Sequence, residues 1–296
     1  MSVTNFEVSH QSGAGATPPR RAHWRVKDIA YDTIDPSQVA GDEMLFHMVA
    51  SASFIESGSQ TYTRNLVKHY ADSPDLGEWL AAHWEPEELQ HGAALARYVQ
   101  TVWPRFDWQA AYDSFFDEYA HLCTVEALQS GPLEMVARCV VEMGTTTYYQ
   151  VLRTLAERAG EPVLVTLAER IRADEIGHYK HFLAHFKTLK TQQPISRWRV
   201  ARVLGARLRE MRESDSDVAL RHVWRHAHAE GEGGNLFPGG TRTFEEFKVR
   251  MMHQFGQNLP IPQAMRMTLK PLMLPPRLER WLQAPAVWLS RRQWQT

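Results

Sequence analysis

The chain has 296 residues, a net charge of −1 and a 44% apolar share, so it can bury a substantial core as one large domain or two small ones. Two cysteines, Cys123 and Cys139, exclude a disulfide framework and a Cys-x-x-Cys motif. The N-terminus lacks the apolar segment of a signal peptide and no run of 18 apolar residues exists, so a soluble cytoplasmic protein is expected, and no motif supports nucleic-acid binding. The charge is unevenly placed. Residues 1–191 hold 16 Lys+Arg against 25 Asp+Glu, a balance of −9, and residues 192–296 hold 17 against 9, a balance of +8.

In chain order, residues 1–35 are polar, with Gly, Ser and Pro18-Pro19, and read as a disordered or loosely packed arm. Residues 40–71 form a first long helical stretch. Met44, Phe46, Met48, Val49, Phe54 and Ile55 make it apolar on more than one side, as in a helix buried in a bundle, and Glu56 sits in that apolar part. Ser73-Pro74 starts a second helix, to about Trp103, with Ser73 as N-cap. Pro86 removes one of its backbone hydrogen bonds and predicts a kink or break near 82–86. A shorter mixed stretch covers 108–129. Pro132 opens a third core helix to about Ala159, with Glu142 among apolar neighbours, and Gly160 followed by Pro162 predicts its end and the start of a fourth, 161–190. Beyond 191 the pattern loosens into short helices at 196–213, 217–229, 242–256 and 276–293, with a glycine-rich loop near 230–241. No alternating strand pattern is present. The expected fold is all-α, with an arm at 1–35, a four-helix bundle at 36–191 and a basic helical extension at 192–296.

The chemistry concentrates in a spacing. Glu88 and His91 lie three residues apart, and so do Glu175 and His178. On a helix that offset puts a carboxylate and an imidazole on one face, where both can hold one metal ion. With 22 Glu and 14 His, roughly one Glu-x-x-His is expected by chance. Four occur; Glu7-x-x-His10, in the polar arm, is read as a chance one, and Glu118-x-x-His121 lies in the mixed stretch 108–129, outside the four core helices. Glu56, then Glu88 with His91, then Glu142, then Glu175 with His178 come from four successive core helices. That is the order of a di-iron or di-manganese carboxylate site in a ferritin-like bundle. About four carboxylates offset the charge of two divalent ions and two neutral imidazoles leave positions open for dioxygen. A lone carboxylate in an apolar helix face costs several kcal/mol unless paired or metal-bound, so Glu56 and Glu142 are the hardest to read as ordinary surface residues. Asp174, next to Glu175, faces off the metal side. It is read either as a hydrogen-bond partner of a ligand imidazole or as a solvent-facing residue.

The stretches Trp84-x-x-Glu87-Glu88-x-x-His91-Gly92 and Ala173-Asp174-Glu175-x-x-His178, with Glu142-x-x-Thr145 between them, resemble the soluble acyl-ACP desaturases within the ferritin-like di-iron superfamily. The resemblance covers about residues 40–190. It implies two irons (or manganese) held by Glu56, Glu88, His91, Glu142, Glu175 and His178, and dioxygen reduced there to an oxidant that removes hydrogen from an unactivated C–H bond. It implies Thr145 beside the dioxygen site as a proton-delivering residue, against the alternative of a hydroxyl bonded back to its own helix. It also implies a ferredoxin-type electron donor, an acyl chain on acyl carrier protein as substrate, and a homodimer. Gln90 stands where the family has Arg, and the match ends near residue 195. Three other readings use the same helices: hydroxylation, N-oxygenation or quinone-ring hydroxylation at the same centre; a ferritin-type iron-handling protein; and a metal-free scaffold with a polar layer.

Three remaining features are read as packing or surface. Tyr148-Tyr149 is expected to pack rather than to carry a radical. His222, His226 and His228 are expected on a solvated helix face. The aromatic, arginine-rich end from Leu278 to Trp294 is expected to cover the bundle, with a membrane surface or an acidic carrier protein as alternatives.

Overall fold

The computed structural model describes residues 23–125, 129, 131–210, 215–229, 235–279 and 281. Eleven α-helices and no strand occur among them: α1 (Glu43–Ser57), α2 (Ser59–His69), α3 (Pro74–Trp79), α4 (Glu85–Val102), α5 (Trp108–Val125), α6 (Pro132–Ala159), α7 (Pro162–Gln192), α8 (Arg197–Glu210), α9 (Asp215–Ala227), α10 (Phe244–Asn258) and α11 (Ile261–Leu269). The all-α expectation matches the structure. The single stretch expected over 40–71 is two helices, parted at Gly58, where an added Cβ would lie 2.8 Å from the Tyr119 ring. The break expected near Pro86 is a π-helical turn, Leu80–Trp84, inserted between α3 and α4. Pro86 then sits in the first turn of α4, where its missing N–H costs nothing.

The core is a ring of four helices. The broadest contacts pair α6 with α7 and α1 with α4, and contacts between α1 and α6 and between α4 and α7 close the ring. Local chemistry fixes the α6–α7 hairpin. Gly160 takes the left-handed conformation (φ 74°) that ends α6, and the Glu161 side chain caps α7 by accepting from the Val163 and Leu164 backbone N–H groups. The Tyr98 hydroxyl on α4 donates to the same carboxylate at 2.7 Å, tying the hairpin to its neighbour.

Two apolar clusters fill the ring, one toward each end. On α6 the first stops at Met143 and the second begins at Tyr149; on α7 the first begins only at Tyr179 and the second stops at Ile171. Residues 144–147 and 172–178 lie in the gap between them. A polar layer is therefore set in the middle of the bundle. Around the ring, α9 covers α1 and α5, while α8 and α11 cover α6. Helix α11 lies between the short helices expected from sequence at 242–256 and 276–293, with Pro260 at its N-cap and Pro262 in its first turn.

The loose arm expected over 1–35 does not hold for residues 23–35. These fold as short 3-10 turns with Trp24, Ile29 and Tyr31 buried, and the Tyr31 hydroxyl donates to the Ala94 carbonyl of α4 at 2.9 Å. The remainder of that arm, including Glu7 and His10, and the end of the chain beyond residue 281 lie outside the described residues. No helix among the described residues is long and apolar enough to cross a membrane.

Candidate metal centre

The six residues singled out by spacing meet in the polar layer. Glu56 comes from α1, Glu88 and His91 from α4, Glu142 from α6, and Glu175 and His178 from α7, and each is between 0 and 6% exposed. They form two overlapping sets. Ligand atoms of Glu56, Glu88, His91 and Glu175 all lie within 4.8 Å of one another, and so do those of Glu88, Glu142, Glu175 and His178. Glu88 and Glu175 belong to both. Nδ1 of His91 points at Glu175 (3.2 Å), Glu88 (3.7 Å) and Glu56 (3.9 Å). Nδ1 of His178 points at Glu88 (3.1 Å), Glu142 (3.5 Å) and Glu175 (4.0 Å).

Close approach of α1 and α4 makes this possible, and Gly92 permits it. A Cβ there would stand 2.6 Å from the backbone nitrogen of Ser57 and 2.9 Å from its Cα, with Ser57 Oγ nearer still. The glycine after His91 therefore lets the helix bearing His91 touch the helix bearing Glu56.

Four carboxylates without water around them are electrostatically expensive. Burial raises Glu56 well above the ordinary carboxylate range, with the Glu88 and Glu175 charges adding to it. Burial likewise raises Glu142, outweighing the nearby His178 imidazole. Burial opposes charge on Glu88 too, but the facing His178 and His91 imidazoles prevail and hold it well below that range. Burial works against charge on His91, yet Asp174, Glu175 and Glu88 raise it well above the usual imidazole value; His178 is raised in the same way by Glu142, Glu87 and Glu88. Positive charge is thus drawn to the centre from every available source. Even so, Nδ1 of both histidines, Oε2 of Glu142 and Oε1 of Glu175 are buried with no hydrogen-bond partner, and all four face inward. Orphaned ligand atoms of N and O type, converging in two sets of four, fit a pair of divalent ions.

The outer nitrogens are also held. Nε2 of His91 lies 3.2 Å from Asp174, which accepts from the Trp24 indole at 2.6 Å. Nε2 of His178 lies 2.8 Å from Glu87, whose other oxygen is 3.0 Å from His23. Of the two readings of Asp174, the structure shows the hydrogen bond to an imidazole. Glu87 in the same role, and the contribution of Trp24, were missed from sequence. The signal for Glu87 is present in the chain: an acidic residue precedes the glutamate of both Glu-x-x-His pairs.

Thr145 is in the centre. Its hydroxyl is 2.5 Å from Oε2 of Glu175 and also within reach of the Glu142 carbonyl at 3.1 Å, so it contacts both the centre and its own helix. Tyr149 corrects an expectation: its buried hydroxyl donates to Glu56, so it belongs to the site and not only to the packing. Burial and the Glu56 charge raise its phenol well above the ordinary value. His222 and His228 also depart from the solvated face expected. His222 is buried against Ser114 (2.9 Å) and Glu118 (2.9 Å), and His228 stacks on Trp224.

No protein-family model and no curated protein matches the chain. Among solved structures it is similar to R2-like ligand-binding oxidases. A glycine-to-leucine variant with an aerobically reconstituted Fe/Fe cofactor shares 13% identity over 79% of this chain and 87% of that one, with a TM-score of 0.48. A tyrosine-to-phenylalanine variant with a Mn/Fe cofactor shares 13% over 93% and 90%, with a TM-score of 0.49. A glutamate-to-aspartate variant with Mn/Fe shares 15% over 91% and 88%, with a TM-score of 0.46. All three scores lie below 0.5, and the reading of the centre rests on its own geometry.

Proposed function

We propose that this chain is an oxygen-dependent oxidoreductase built on a dinuclear metal centre. One observation carries the reading: two four-residue sets of converging buried ligand atoms share Glu88 and Glu175. Glu56 and His91 would complete one ion's ligands and Glu142 and His178 the other's, with Glu88 and Glu175 available to both. A pair of iron ions, or iron with manganese, would supply the electrons and open positions for dioxygen chemistry.

The chain's own residues shape that chemistry. Asp174 and Glu87 hold the outer nitrogens of His91 and His178, which would leave each Nδ1 to present a lone pair to a bound ion. The apolar clusters above and below exclude water from the layer. Thr145 holds a hydroxyl proton against Glu175, and Tyr149 holds one against Glu56. Two protons are thereby stored at the edges of the centre, one on each side.

The finer reading is a desaturase-type removal of hydrogen from an acyl or other hydrophobic chain, with a ferredoxin-type donor, an acyl-carrier substrate and a homodimer. The two Glu-x-x-His stretches and Glu142-x-x-Thr145 support it through their resemblance to that family. The direct test is an anaerobic ferrous titration followed by oxygen exposure, read by metal analysis, Mössbauer spectroscopy and oxygen uptake. About two ions per chain with oxygen consumption is expected. Glu142→Ala and His178→Ala should each lose an ion while remaining helical. A chain that binds no metal and takes up no oxygen would overturn the reading in favour of a scaffold with a polar layer.

A further inference from the structure

Outside the centre, α7 carries a second histidine pair with ligand geometry. His181 and His185 are one turn apart, and their Nε2 atoms lie 2.8 Å from each other, with ring centroids 4.5 Å apart. Both side chains are half-buried, so solvent reaches them. The i, i+4 spacing places both imidazoles on one helix face, where the backbone keeps them together at no further ordering cost. The His181 ring is clamped: the Trp79 indole lies parallel to it at 3.6 Å, 10° from coplanar.

Two features favour an ion over a simple imidazole–imidazole hydrogen bond. Burial, with the neighbouring His185, His178 and His83, pushes His181 down to about 4, so it is neutral and keeps a lone pair at neutral pH. Burial lowers His185 as well, while the Asp75 charge on α3 acts in the opposite direction. Two imidazoles on one tetrahedral ion, each about 2.0–2.1 Å from it, sit roughly 3.3 Å apart. The observed separation reaches that value by opening about half an ångström, a small rotation about the side-chain bonds.

We propose that His181 and His185 form a separate mononuclear site for a divalent transition ion with affinity for imidazole, such as Cu²⁺, Ni²⁺ or Zn²⁺, completed by water. The site is independent of the dinuclear reading, since it shares no ligand with that centre. It lies on the His178 face of α7, one and two turns further along, and Trp79 packs between them, 6.3 Å from the His178 ring.

Cu²⁺ is the most sensitive probe, because it binds nitrogen sites tightest among the first-row divalent ions. The full chain is titrated with Cu²⁺ and read by frozen-solution electron paramagnetic resonance and metal analysis. Beyond the Cu²⁺ that the dinuclear ligands themselves take up, the wild type should bind one equivalent, with hyperfine structure from two nitrogens, that His181→Gln and His185→Gln each lose. The His178→Ala variant should retain that equivalent, which separates this site from the centre. His226→Gln, on the opposite part of the molecule's sequence and away from the pair, should leave it unchanged. Helical circular dichroism establishes that each variant is folded. Equal stoichiometry and identical spectra in the wild type, His181→Gln and His185→Gln would overturn the site and leave the pair as a hydrogen bond.

Discussion

Gly92→Ala is the sharpest perturbation of the centre, because it changes no ligand. Ordinary van der Waals contact for a Cβ begins at 3.4 Å, and the added methyl would stand 2.6 Å from the Ser57 nitrogen, so α1 must retreat by roughly 0.8 Å. Backbone cannot rotate aside as a side chain can. Overpacking of this kind costs about 1–3 kcal/mol, against a gain of about 1 kcal/mol from replacing a helical glycine. Ser57 is covalently next to Glu56, so Glu56 moves with it. Metal ligands tolerate only about 0.2 Å of displacement. If as little as about 1.4 kcal/mol of the strain falls on the metal-bound geometry, affinity at that ion drops tenfold. Glu56 belongs to one ligand set only, so the ion held by Glu142 and His178 should bind as before. The control is Gly177→Ala, between Glu175 and His178 in the second motif. A Cβ there meets nothing within 4 Å, so the variant should gain up to about 1 kcal/mol and keep both ions. Chelator-competition titrations with thermal unfolding on both variants provide the assay. Two wild-type affinities in Gly92→Ala would refute the account of why a glycine follows His91.

Three further outcomes follow from the same geometry. Asp174→Ala removes the partner of both the His91 ring and the Trp24 indole, and should weaken one ion by about 10–100-fold, measured by competition with a chelator, while Asp174→Asn recovers part of the loss. Thr145→Val should leave the ion stoichiometry intact and slow oxygen uptake, since only a hydroxyl on Glu175 is lost; unchanged uptake would remove Thr145 from the chemistry. His47 gives the stability a pH dependence. It is fully buried, its Nδ1 donates to the Glu43 carbonyl at 2.7 Å, and burial lowers it from 6.5 to about 3. A depressed value means the unfolded chain binds the proton first, so this stability is complete above pH 6.5 and is lost as pH falls toward 3. Between pH 7 and pH 5 it is worth about 2 kcal/mol. His47→Phe, which keeps a ring against Phe247, should flatten that part of the profile in urea titrations at the two pH values.

Much of this was readable in advance, and the unread parts share a cause. Pro132, Gly160 and Pro162 fix where α6 begins and ends and where α7 begins through their own backbone restrictions, so those limits were legible to within a residue or two. The six ligand candidates were legible because helical periodicity converts a three-residue spacing into a shared face. Tyr149 and Trp24 were not. Tyr149 sits seven residues from Glu142 on the same helix, and its link is to Glu56, 93 residues away, through packing that no local pattern encodes. Trp24 reaches Asp174 from a segment whose composition reads as a polar arm. The split of the first helix at Gly58 was likewise hidden, since its reason is the Tyr119 ring on α5, a partner distant in sequence.

The outer carboxylates connect these observations. Both Glu-x-x-His pairs of the centre are preceded by an acidic residue: Glu87 before Glu88, Asp174 before Glu175. One residue along a helix is a rotation of about 100°, so the preceding acid cannot share the inward face of its neighbour. It flanks the centre instead, and there it meets the imidazole of the opposite helix: Glu87 of α4 holds His178 of α7, and Asp174 of α7 holds His91 of α4. The exchange is reciprocal, so neither helix completes its own histidine. Each motif supplies an inward glutamate common to both ligand sets, an imidazole for one of them, and the carboxylate that orients the other. This arrangement couples the two halves of the centre through side chains alone, and it makes α4 and α7 interdependent. Loss of Asp174 should be felt at the ion held by His91, and loss of Glu87 at the ion held by His178, a crossed pattern that follows from the geometry and would not arise if each acid served its own helix.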